Sequence, residues 1–213
     1  MKKYRKTLIF TSIITLMPII VGLLLWDQLP ERMATHFASD GTANGWSHRG
    51  FAVFGLPIML VLLQVLCMGV TLADPKKQNI NDRLFGLILW LIPVISVAGN
   101  FHIYAFSLGH QTNVSTYVMI LLGSIFIIIG NYLPKCRQNY TMGIKIPWTL
   151  DDEDNWNHTH RMAGYLWILG GFAMIVNAFT NYEWLLFVII VVMGIVPMVY
   201  SYLYYRKHGK KED

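Results

Sequence analysis

Charged residues are scarce in this chain of 213 residues. Asp, Glu, Lys and Arg together make up 14% of the sequence, whereas about 25% is usual in a soluble domain. Apolar residues account for 54%, and the mean hydropathy is +0.44. They cluster in blocks of about 20 residues, each long enough to cross a hydrocarbon core about 30 Å thick. The composition therefore excludes an ordinary soluble domain, leaves no room for a separate one, and predicts an integral membrane protein.

Cysteines and enzyme motifs are also rare or missing. Two cysteines, Cys67 and Cys136, do not make a disulfide framework, and the topology given below places both toward the cytosol, where thiols stay reduced. The sequence has no G-x-S-x-G, no H-E-x-x-H and no phosphate loop. No firm charge lies at mid-depth of an apolar block and no internal repeat is evident, which argues against a pump or a two-fold transporter.

The apolar blocks predict an all-α polytopic membrane protein, a bundle of about six transmembrane helices in a single membrane domain, 1–213. Backbone groups in lipid must be hydrogen-bonded within their own segment, and the period-2 alternation of membrane strands is absent. The first two spans occupy 7–73 around a loop at 27–50, and the other four occupy 84–204 around a loop at 132–160. The first apolar run resembles a signal peptide, but its length and the lack of a cleavage site favour an uncleaved span. The predicted spans are 7–26, 51–73, 84–106, 114–131, 161–179 and 184–204.

The distribution of basic residues predicts the orientation of the bundle. With the N-terminus in the cytosol, all but two of the 17 Lys and Arg residues fall on the inner side. Only Arg32 and Arg49 lie outside. Both termini are then cytosolic, the loop at 27–50 faces outward and the loop at 132–160 faces inward. The positive-inside rule therefore explains the net charge of +5 without a nucleic-acid partner.

Polar residues inside the spans are few, and prolines interrupt four of them. Gln64, Asn100 and His102 are expected to face the bundle interior and to bond neighbouring helices, because polar groups are costly in lipid. Each proline is expected to mark a mild bend, which is tolerated when neighbouring groups cover the freed carbonyls. The prolines are Pro18, Pro57, Pro93 and Pro197.

The inner loop contains most of the recognisable local signals. Pro134 and Pro147 prevent a continuous helix, and Gly143 is placed where a turn is expected. Thr149 is predicted to be a helix N-cap, because Asp152 and its acidic neighbours load the first turn that would follow. A helix is therefore predicted to begin near Leu150 and to continue into the fifth span.

Two histidines near the start of the fifth span are predicted to point apart. Trp156 and His160 are four residues apart and share one face of the predicted helix, whereas His158 and His160 are two apart. A joint metal site formed by the two histidines is therefore disfavoured. The alternative to a functional role is that Trp156, His160 and Arg161 simply anchor the span at the membrane interface.

The outer loop contains two turn signals, Asp40-Gly41 and Asn44-Gly45, and a possible strand at 34–38. These features predict a small hairpin. His36, Phe37 and Trp46 are the residues expected to meet a molecule that arrives from outside, or else to pack the loop onto the bundle. A metal site that combines His36 with Asp40 or His48 lacks any standard ligand spacing.

The segment 130–161 resembles the SdpI family of bacterial membrane proteins. The residues that match are Gly130-Asn131, Arg137, Asn139, Gly143-Ile144-Lys145, Pro147-Trp148-Thr149-Leu150, Trp156 and Thr159-His160-Arg161. Lys145 stands where arginine is more often expected, which keeps the charge but loses the planar fork. The outer loop is similar to the small N-terminal domain of unknown function that accompanies this family. It matches through Pro30, His36-Phe37, Gly41 and Trp46.

The resemblance implies a multi-pass protein of the bacterial cytoplasmic membrane that gives immunity to a secreted, membrane-active killing peptide. It also implies signalling, since the founding member holds a small transcriptional repressor at the membrane when its toxin is present. The expected partners are the lipid bilayer, a peptide toxin and a cytosolic repressor, with no cofactor, metal or catalytic residue. The expected partner-binding residues of the inner loop are Asn131, Arg137, Asn139, Gly143, Lys145, Pro147, Trp148, Thr149, Trp156, Thr159, His160 and Arg161.

Two other classes of function stay open from the residues alone. A small transporter or lipid-handling permease would need a water-filled cavity at the midplane, lined by Gln64, Asn100 and His102. A membrane-embedded enzyme would use His36, His160 or the acidic run at 151–154, although such a run is more often simply a solvated charged surface.

Overall fold

The computed structural model describes residues 2–38, 41–80, 82–110, 113–180 and 182–208. Six of its helices are long and apolar enough to cross a membrane, which confirms the predicted all-α polytopic class. The helices are α1 Lys2–Leu24, α2 Leu56–Ala73, α3 Asp82–Ser107, α4 Val114–Tyr132, the short α5 Pro147–Asp151, α6 Glu153–Thr180 and α7 Glu183–His208. A single π-helical turn, Phe51–Gly55, precedes α2, and two strands, β1 Arg32–Phe37 and β2 Ala43–His48, lie between α1 and that turn.

The chain divides into two compact units. The first comprises Met1–Leu72 and Phe85–Ser115, and the second comprises Ala73–Leu84 and Thr116–Asp213. The single membrane domain stays a prediction. The described elements agree with the predicted spans, and α6 begins at Glu153, close to the helix start predicted near Leu150, and continues through the fifth span.

The first unit is organised by polar groups on one face of α1. Thr15 offers its carbonyl oxygen to the Ser96 hydroxyl of α3 at 2.8 Å, and Pro18 offers its carbonyl to the Tyr104 hydroxyl at 3.1 Å. One turn after Pro18, a Cβ atom on Gly22 would lie 2.6 Å from Val53 Cγ1 and 2.8 Å from Tyr104 Oη. The close approach therefore requires glycine at this position.

Strands β1 and β2 form an antiparallel hairpin, as predicted from the outer loop. Ala34 lies opposite Trp46, and the register then shifts between Ala34 and His36. Gly41 has a φ of +84°, the turn conformation that favours glycine, whereas its predicted partner Asp40 lies outside the described residues. The predicted turn at Asn44-Gly45 is wrong because both residues belong to β2. Gly45 is needed there because a Cβ atom would lie 2.7 Å from the Cβ of His36.

Two of the buried prolines free a helix carbonyl that a side chain then covers. Proline at position i cannot bond the carbonyl of residue i−4. In the first unit, the carbonyl freed by Pro93 belongs to Leu89 and accepts a hydrogen bond from Gln64 Nε2 at 2.8 Å. The second unit has the same arrangement. The carbonyl of Met193, four residues before Pro197, accepts a hydrogen bond from Trp167 Nε1 at 3.0 Å. These contacts show how the bends are tolerated in lipid.

Helices α4 and α6 of the second unit meet through glycines on both sides. A Cβ atom on Gly123 would lie 2.6 Å from the carbonyl oxygen of Gly171, and one on Gly130 would lie 2.8 Å from that of Gly164. The glycines are seven residues apart on each helix, and the pairing runs in opposite directions along the two helices. The two backbones therefore approach closely in an antiparallel glycine contact of the kind that small residues permit in membranes.

Helices α6 and α7 are longer than a bilayer requires. Their 28 and 26 residues span about 42 and 39 Å, against a hydrocarbon core of about 30 Å. Only residues 181–182 separate the two helices in the sequence, and the ends away from this connection, 153–160 and 201–208, are the more polar ones, so we expect the excess length to lie there. We call this overhanging end, together with residues 73–84 and 133–152, the cap.

Candidate functional site in the cap

A buried carboxylate joins two loops of the cap. Asp74 follows directly after α2, is 4% exposed, and accepts the Lys76 N–H at 2.7 Å. Its second oxygen accepts the Tyr140 N–H at 2.9 Å and the Thr141 hydroxyl. Burial acts to raise the pKa of Asp74, but the hydrogen bonds from Thr141 and from the backbone outweigh it and lower that pKa below the ordinary value. The carboxylate is therefore a stable ionised acceptor that fixes loop 138–141.

Gln138 makes a second connection between the same two loops. Its Nε2 donates to the carbonyls of Thr149 and Leu150, each at 2.8 Å, and its Oε1 accepts from Lys76 Nζ. The backbone carbonyl of Gln138 accepts from Asn79 Nδ2 at 2.7 Å. One glutamine thus ties the loop after α2 to the start of the α5 region.

Asn139 is fully buried, and its side chain forms the turn that follows it. Its Oδ1 accepts the backbone N–H groups of Thr141 at 2.9 Å and Met142 at 2.6 Å. Its Nδ2 donates to the carbonyl of Arg137 at 2.8 Å. The turn closes at Gly143, whose φ of +109° confirms the predicted position and favours glycine.

Trp156 and His160 form the aromatic centre of the cap. Their rings stack with centroids 4.0 Å apart, and Trp156 Nε1 donates to the carbonyl of Cys136 at 2.7 Å. His160 Nδ1 lies 2.8 Å from the Trp156 carbonyl, and His160 Nε2 lies 2.9 Å from the N–H of Ile144. A Cβ atom on Gly143 would collide with His160 Nε2 and lie 2.9 Å from Trp156 Cζ2. Four matched residues therefore meet in one packed centre together with Cys136, the neighbour of the matched Arg137. The four are Gly143, Ile144, Trp156 and His160.

The local helix structure differs from the prediction around Thr149. Thr149 is not the N-cap of the long helix, because it lies inside the short α5 and is fully buried. Its hydroxyl donates to the carbonyls of Ile144 and Ile146 and accepts the N–H of Ile146 at 3.1 Å. The chain is extended at Asp152, whose Oδ1 accepts the N–H of Asp154 at 2.9 Å at the start of α6. The acidic run therefore begins a helix as predicted, but one that starts three residues later.

A polar cluster joins the overhanging ends of α6 and α7. Asn155 Nδ2 donates to the Ser201 carbonyl at 3.0 Å, and the Ser201 hydroxyl donates back to Asn155 Oδ1 at 2.8 Å. The Thr159 hydroxyl donates to the same oxygen at 3.0 Å. His158 and His160 point apart, as predicted, since His158 is exposed and stacks on Tyr204 at 4.9 Å. Thr159 is thus a packing residue between two helices.

Six matched residues are exposed on the surface of the second unit, and Trp148 is half-buried there. Trp148 packs at 5.0 Å from the Tyr202 ring of α7. Lys145 donates to the carbonyl of Thr141 at 3.0 Å and is otherwise exposed. The exposed members are Asn131, Arg137, Gly143, Lys145, Pro147 and Arg161.

The three outer-loop candidates are placed differently within the hairpin. His36 and Trp46 are exposed, and His36 Nδ1 lies 2.5 Å from Asn44 Oδ1. Phe37 instead packs edge-on against the rings of His102 and Phe106 of α3, each at 5.1 Å. Two of the three candidates therefore offer a free surface, and the third attaches the hairpin to a helix.

The three intramembrane polar residues are buried, as predicted. Gln64 also bonds a neighbouring helix, as predicted, since its Nε2 donates to Thr11 Oγ1 at 2.8 Å. Asn100 Nδ2 instead donates to the Ser96 carbonyl of its own helix at 2.9 Å, so the predicted bond to a neighbouring helix is wrong for this donor. A groove of about 580 Å³ lies between α1 and α3, but its lining is almost wholly apolar and includes none of these three residues.

Three important residues carried no motif signal. Asp74 and Gln138 lie in polar loops where no spacing rule marks a buried contact, although an Asp-Pro pair directly after a span indicates a turn. Arg49 lies in the outer loop, donates to the carbonyls of Trp26 at 2.6 Å and Leu29 at 3.0 Å, and covers the Trp26 ring at 4.2 Å. It fixes the end of α1 to the hairpin.

The chemistry of the cap is that of a packed structural centre. Within the described ranges, no three His, Cys, Asp or Glu residues are grouped as a metal would require. Burial raises the pKa of the Cys136 thiol to about 11, with a smaller opposing effect from the Asn139 hydrogen bond, so the thiol stays protonated. Both ring nitrogens of His160 are already hydrogen-bonded. The buried polar groups of the cap are therefore used in internal hydrogen bonds.

Comparisons with known proteins match two separate segments of the chain and one curated protein over nearly its full length. Residues 135–201 match the model of the SdpI/YfhL protein family, and residues 13–61 match DUF1648, a domain of unknown function. The curated protein "Immunity protein SdpI" of Bacillus subtilis (strain 168) is 24% identical over 208 residues, which cover 93% of this chain and 96% of that protein. No solved structure matches the chain at a significant level. The chain therefore has one segment that is similar to the SdpI/YfhL family and begins in the cap, and another that is similar to DUF1648 and contains the hairpin, as the sequence resemblance predicts.

Proposed function

We propose that this chain is a membrane immunity protein that protects its cell against a secreted, membrane-active peptide. The observation that carries the proposal is the similarity to an immunity protein over nearly the full length of both chains. A shared segment alone would support only a shared fold, whereas this similarity includes the hairpin, the spans and the cap.

The proposal assigns different roles to the two loops. By the number of spans, the loops at 27–50 and 132–160 fall on opposite sides of the bilayer, and the excess of Lys and Arg in the second favours the cytosol for the cap. The exposed His36 and Trp46 would then meet the peptide from outside. The cap would hold a cytosolic repressor when the peptide is present.

A protection assay tests the immunity role. The full chain is expressed in a sensitive bacterium, which is challenged with the killing peptide that the SdpI relative opposes and with related peptides. We expect survival to rise with expression of the chain, and a W46A/H36A variant that reaches the membrane at the same level to protect less well. A chain that is present in the membrane and protects against none of these peptides would contradict the proposal.

Co-purification tests the signalling role separately. Cells express the chain together with the repressor that a neighbouring gene encodes. Their membranes are solubilised with and without the peptide. We expect peptide-dependent retention of the repressor, and we expect Trp148→Ala to reduce it because this side chain lies on the cap surface against α7. Protection without any retention of the repressor would support the immunity role and contradict the repressor role.

Cysteine labelling tests the orientation. Asn44→Cys in the hairpin and Asn157→Cys in the cap both replace exposed residues. Cys136 gives little background because it is buried and its raised pKa keeps it protonated. In intact cells, an impermeant thiol reagent should label the Asn44→Cys variant and not the Asn157→Cys variant. The reverse pattern would show that the cap faces outward.

A further inference from the structure

We propose that the end of the α4–α6 contact binds the phosphate group of an anionic phospholipid, through Arg137 and Arg161 with Asn131 and Lys135 beside them. The internal hydrogen bonds of the cap account for Asn139, Thr149, Trp156, Thr159 and His160, but they leave three matched residues unused. Asn131, Arg137 and Arg161 are exposed, and their side chains make no hydrogen bond or ion pair within the part of the chain that the structure describes. Packing therefore does not explain them.

Two contacts bring these residues to the same level of the molecule. Pro134 Cδ would lie 2.8 Å from a Cβ atom on Gly164, and the Cys136 carbonyl accepts a hydrogen bond from Trp156. The short segment 134–136 therefore runs alongside α6 between Trp156 and Gly164. Arg161 lies within that stretch of α6, and Asn131 directly follows Gly130, which packs against Gly164.

We expect this level to lie at the surface of the bilayer. The polar start of α6, residues 153–160, precedes the apolar span predicted from Arg161 onward, and α4 ends at Tyr132. Lys135 Nζ lies 5.1 Å from the centre of the Tyr132 ring, an arrangement usual at the headgroup level. Phosphates of lipids occupy this level in every membrane.

The charge at this position is uncompensated by the nearby carboxylates. Within α6, Glu153 and Asp154 precede Arg161 by eight and seven positions, which is about 10–12 Å along the helix axis. Asp74 is already saturated by hydrogen bonds inside the cap. Guanidinium groups bind phosphate oxygens through paired hydrogen bonds, and lysine adds a point charge. The arrangement thus fits an anionic ligand better than a neutral one, and the anion that a lipid supplies at the headgroup level is phosphate.

Lipid binding to the purified full chain tests the proposal. Native mass spectrometry in detergent would compare added phosphatidylglycerol with phosphatidylcholine. We expect phosphatidylglycerol to bind more tightly, and the R137Q/R161Q variant to weaken that binding about tenfold or more with phosphatidylcholine binding unchanged. The control is R32Q/K77Q, which removes the same charge from two exposed positions elsewhere and should change binding less than about twofold.

Three results would overturn the proposal. The first is unchanged phosphatidylglycerol binding in the R137Q/R161Q variant, with its thermal unfolding in phosphatidylcholine also unchanged. The second is an equal loss in the control variant, which would show a diffuse charge effect. The third is full competition by soluble glycerol phosphate at the same concentration as the lipid, which would show that the site binds free phosphate compounds instead of lipid.

Discussion

The backbone N–H of Ile144 donates to His160 Nε2 across 2.9 Å, and this contact fixes the protonation of the imidazole. A ring nitrogen that accepts a hydrogen bond carries no proton, so the single proton of the neutral ring lies on Nδ1. Nδ1 then donates to the carbonyl of Trp156 at 2.8 Å. His160 is therefore held as one neutral tautomer between a loop and its own helix, with neither nitrogen available to a substrate.

Replacing His160 by Ala should destabilise the cap. The N–H of Ile144 would be left without its acceptor in a buried place, which costs about 1–3 kcal/mol, and the Trp156 ring would lose its stacking partner. Thermal unfolding in detergent measures the loss. His158→Ala is the matched control, because this exposed histidine lies two residues away and should change the stability much less. Equal losses in the two variants would argue against the assigned role.

A methyl group at Gly123 should disrupt the α4–α6 contact. Alanine there would force the Gly171 carbonyl away from a Cβ atom 2.6 Å distant, and overpacking of this kind costs about 1–3 kcal/mol. Gly194→Ala is the control, since no atom lies within 4 Å of its added Cβ and the change removes a helix-weakening glycine. We expect the first variant to unfold at lower temperature and the second to be neutral or more stable. A neutral Gly123→Ala variant would show that the helices separate without cost.

Gln64 and Pro93 should be energetically coupled. Gln64→Leu removes the donor for the Leu89 carbonyl, and a lost hydrogen bond between membrane helices costs about 1 kcal/mol. Pro93→Ala supplies a backbone N–H to the same carbonyl, so the glutamine change should cost less in that background. A double-mutant cycle of unfolding free energies measures the difference. Strictly additive effects would mean that Gln64 does not act through the freed carbonyl.

The stability of the cap should depend on acid through Asp74. Its pKa in the folded protein lies below the ordinary value for an aspartate, because its burial is outweighed by the hydrogen bonds from Thr141 and the backbone, so its ionised form stabilises the fold. That contribution is complete above the unfolded-state pKa and is lost as the pH falls through the folded-state pKa. Asp74→Asn should therefore lower the unfolding temperature at neutral pH, and the gap from the unmodified chain should narrow below about pH 4. A gap that stays constant down to strongly acidic pH would contradict this assignment.

Hydropathy predicted the six spans well because lipid forces each apolar run into a complete helix. Hydropathy does not mark the start of α6, since residues 153–160 are polar, but the acidic run at 151–154 predicted a helix start near Leu150, three residues before the observed one. The contact of Asp74 with Tyr140 joins positions 66 residues apart, and no local pattern encodes it. The N-cap prediction at Thr149 failed for a related reason, because its hydroxyl is used by the carbonyls of Ile144 and Ile146.

One missed feature was readable from the sequence. Gly123 and Gly130 are seven residues apart, as are Gly164 and Gly171, and matched glycine spacing on two neighbouring spans is typical of close helix contacts. The roles given to the site residues stay predictions. Their resemblance to a family located the cap, but only the contacts separate those that build it from those, such as Arg137, that are left on its surface.

The overhang of α6 and α7 also has a mechanical meaning. α6 runs unbroken from Glu153 to Thr180 and α7 from Glu183 to His208, and Trp167 covers the carbonyl that Pro197 frees. Asn155 and Ser201 join the ends of the two helices at the cap. We therefore expect the pair to tilt as one stiff unit about 40 Å long, so that a small tilt inside the bilayer becomes a larger displacement of the cap surface.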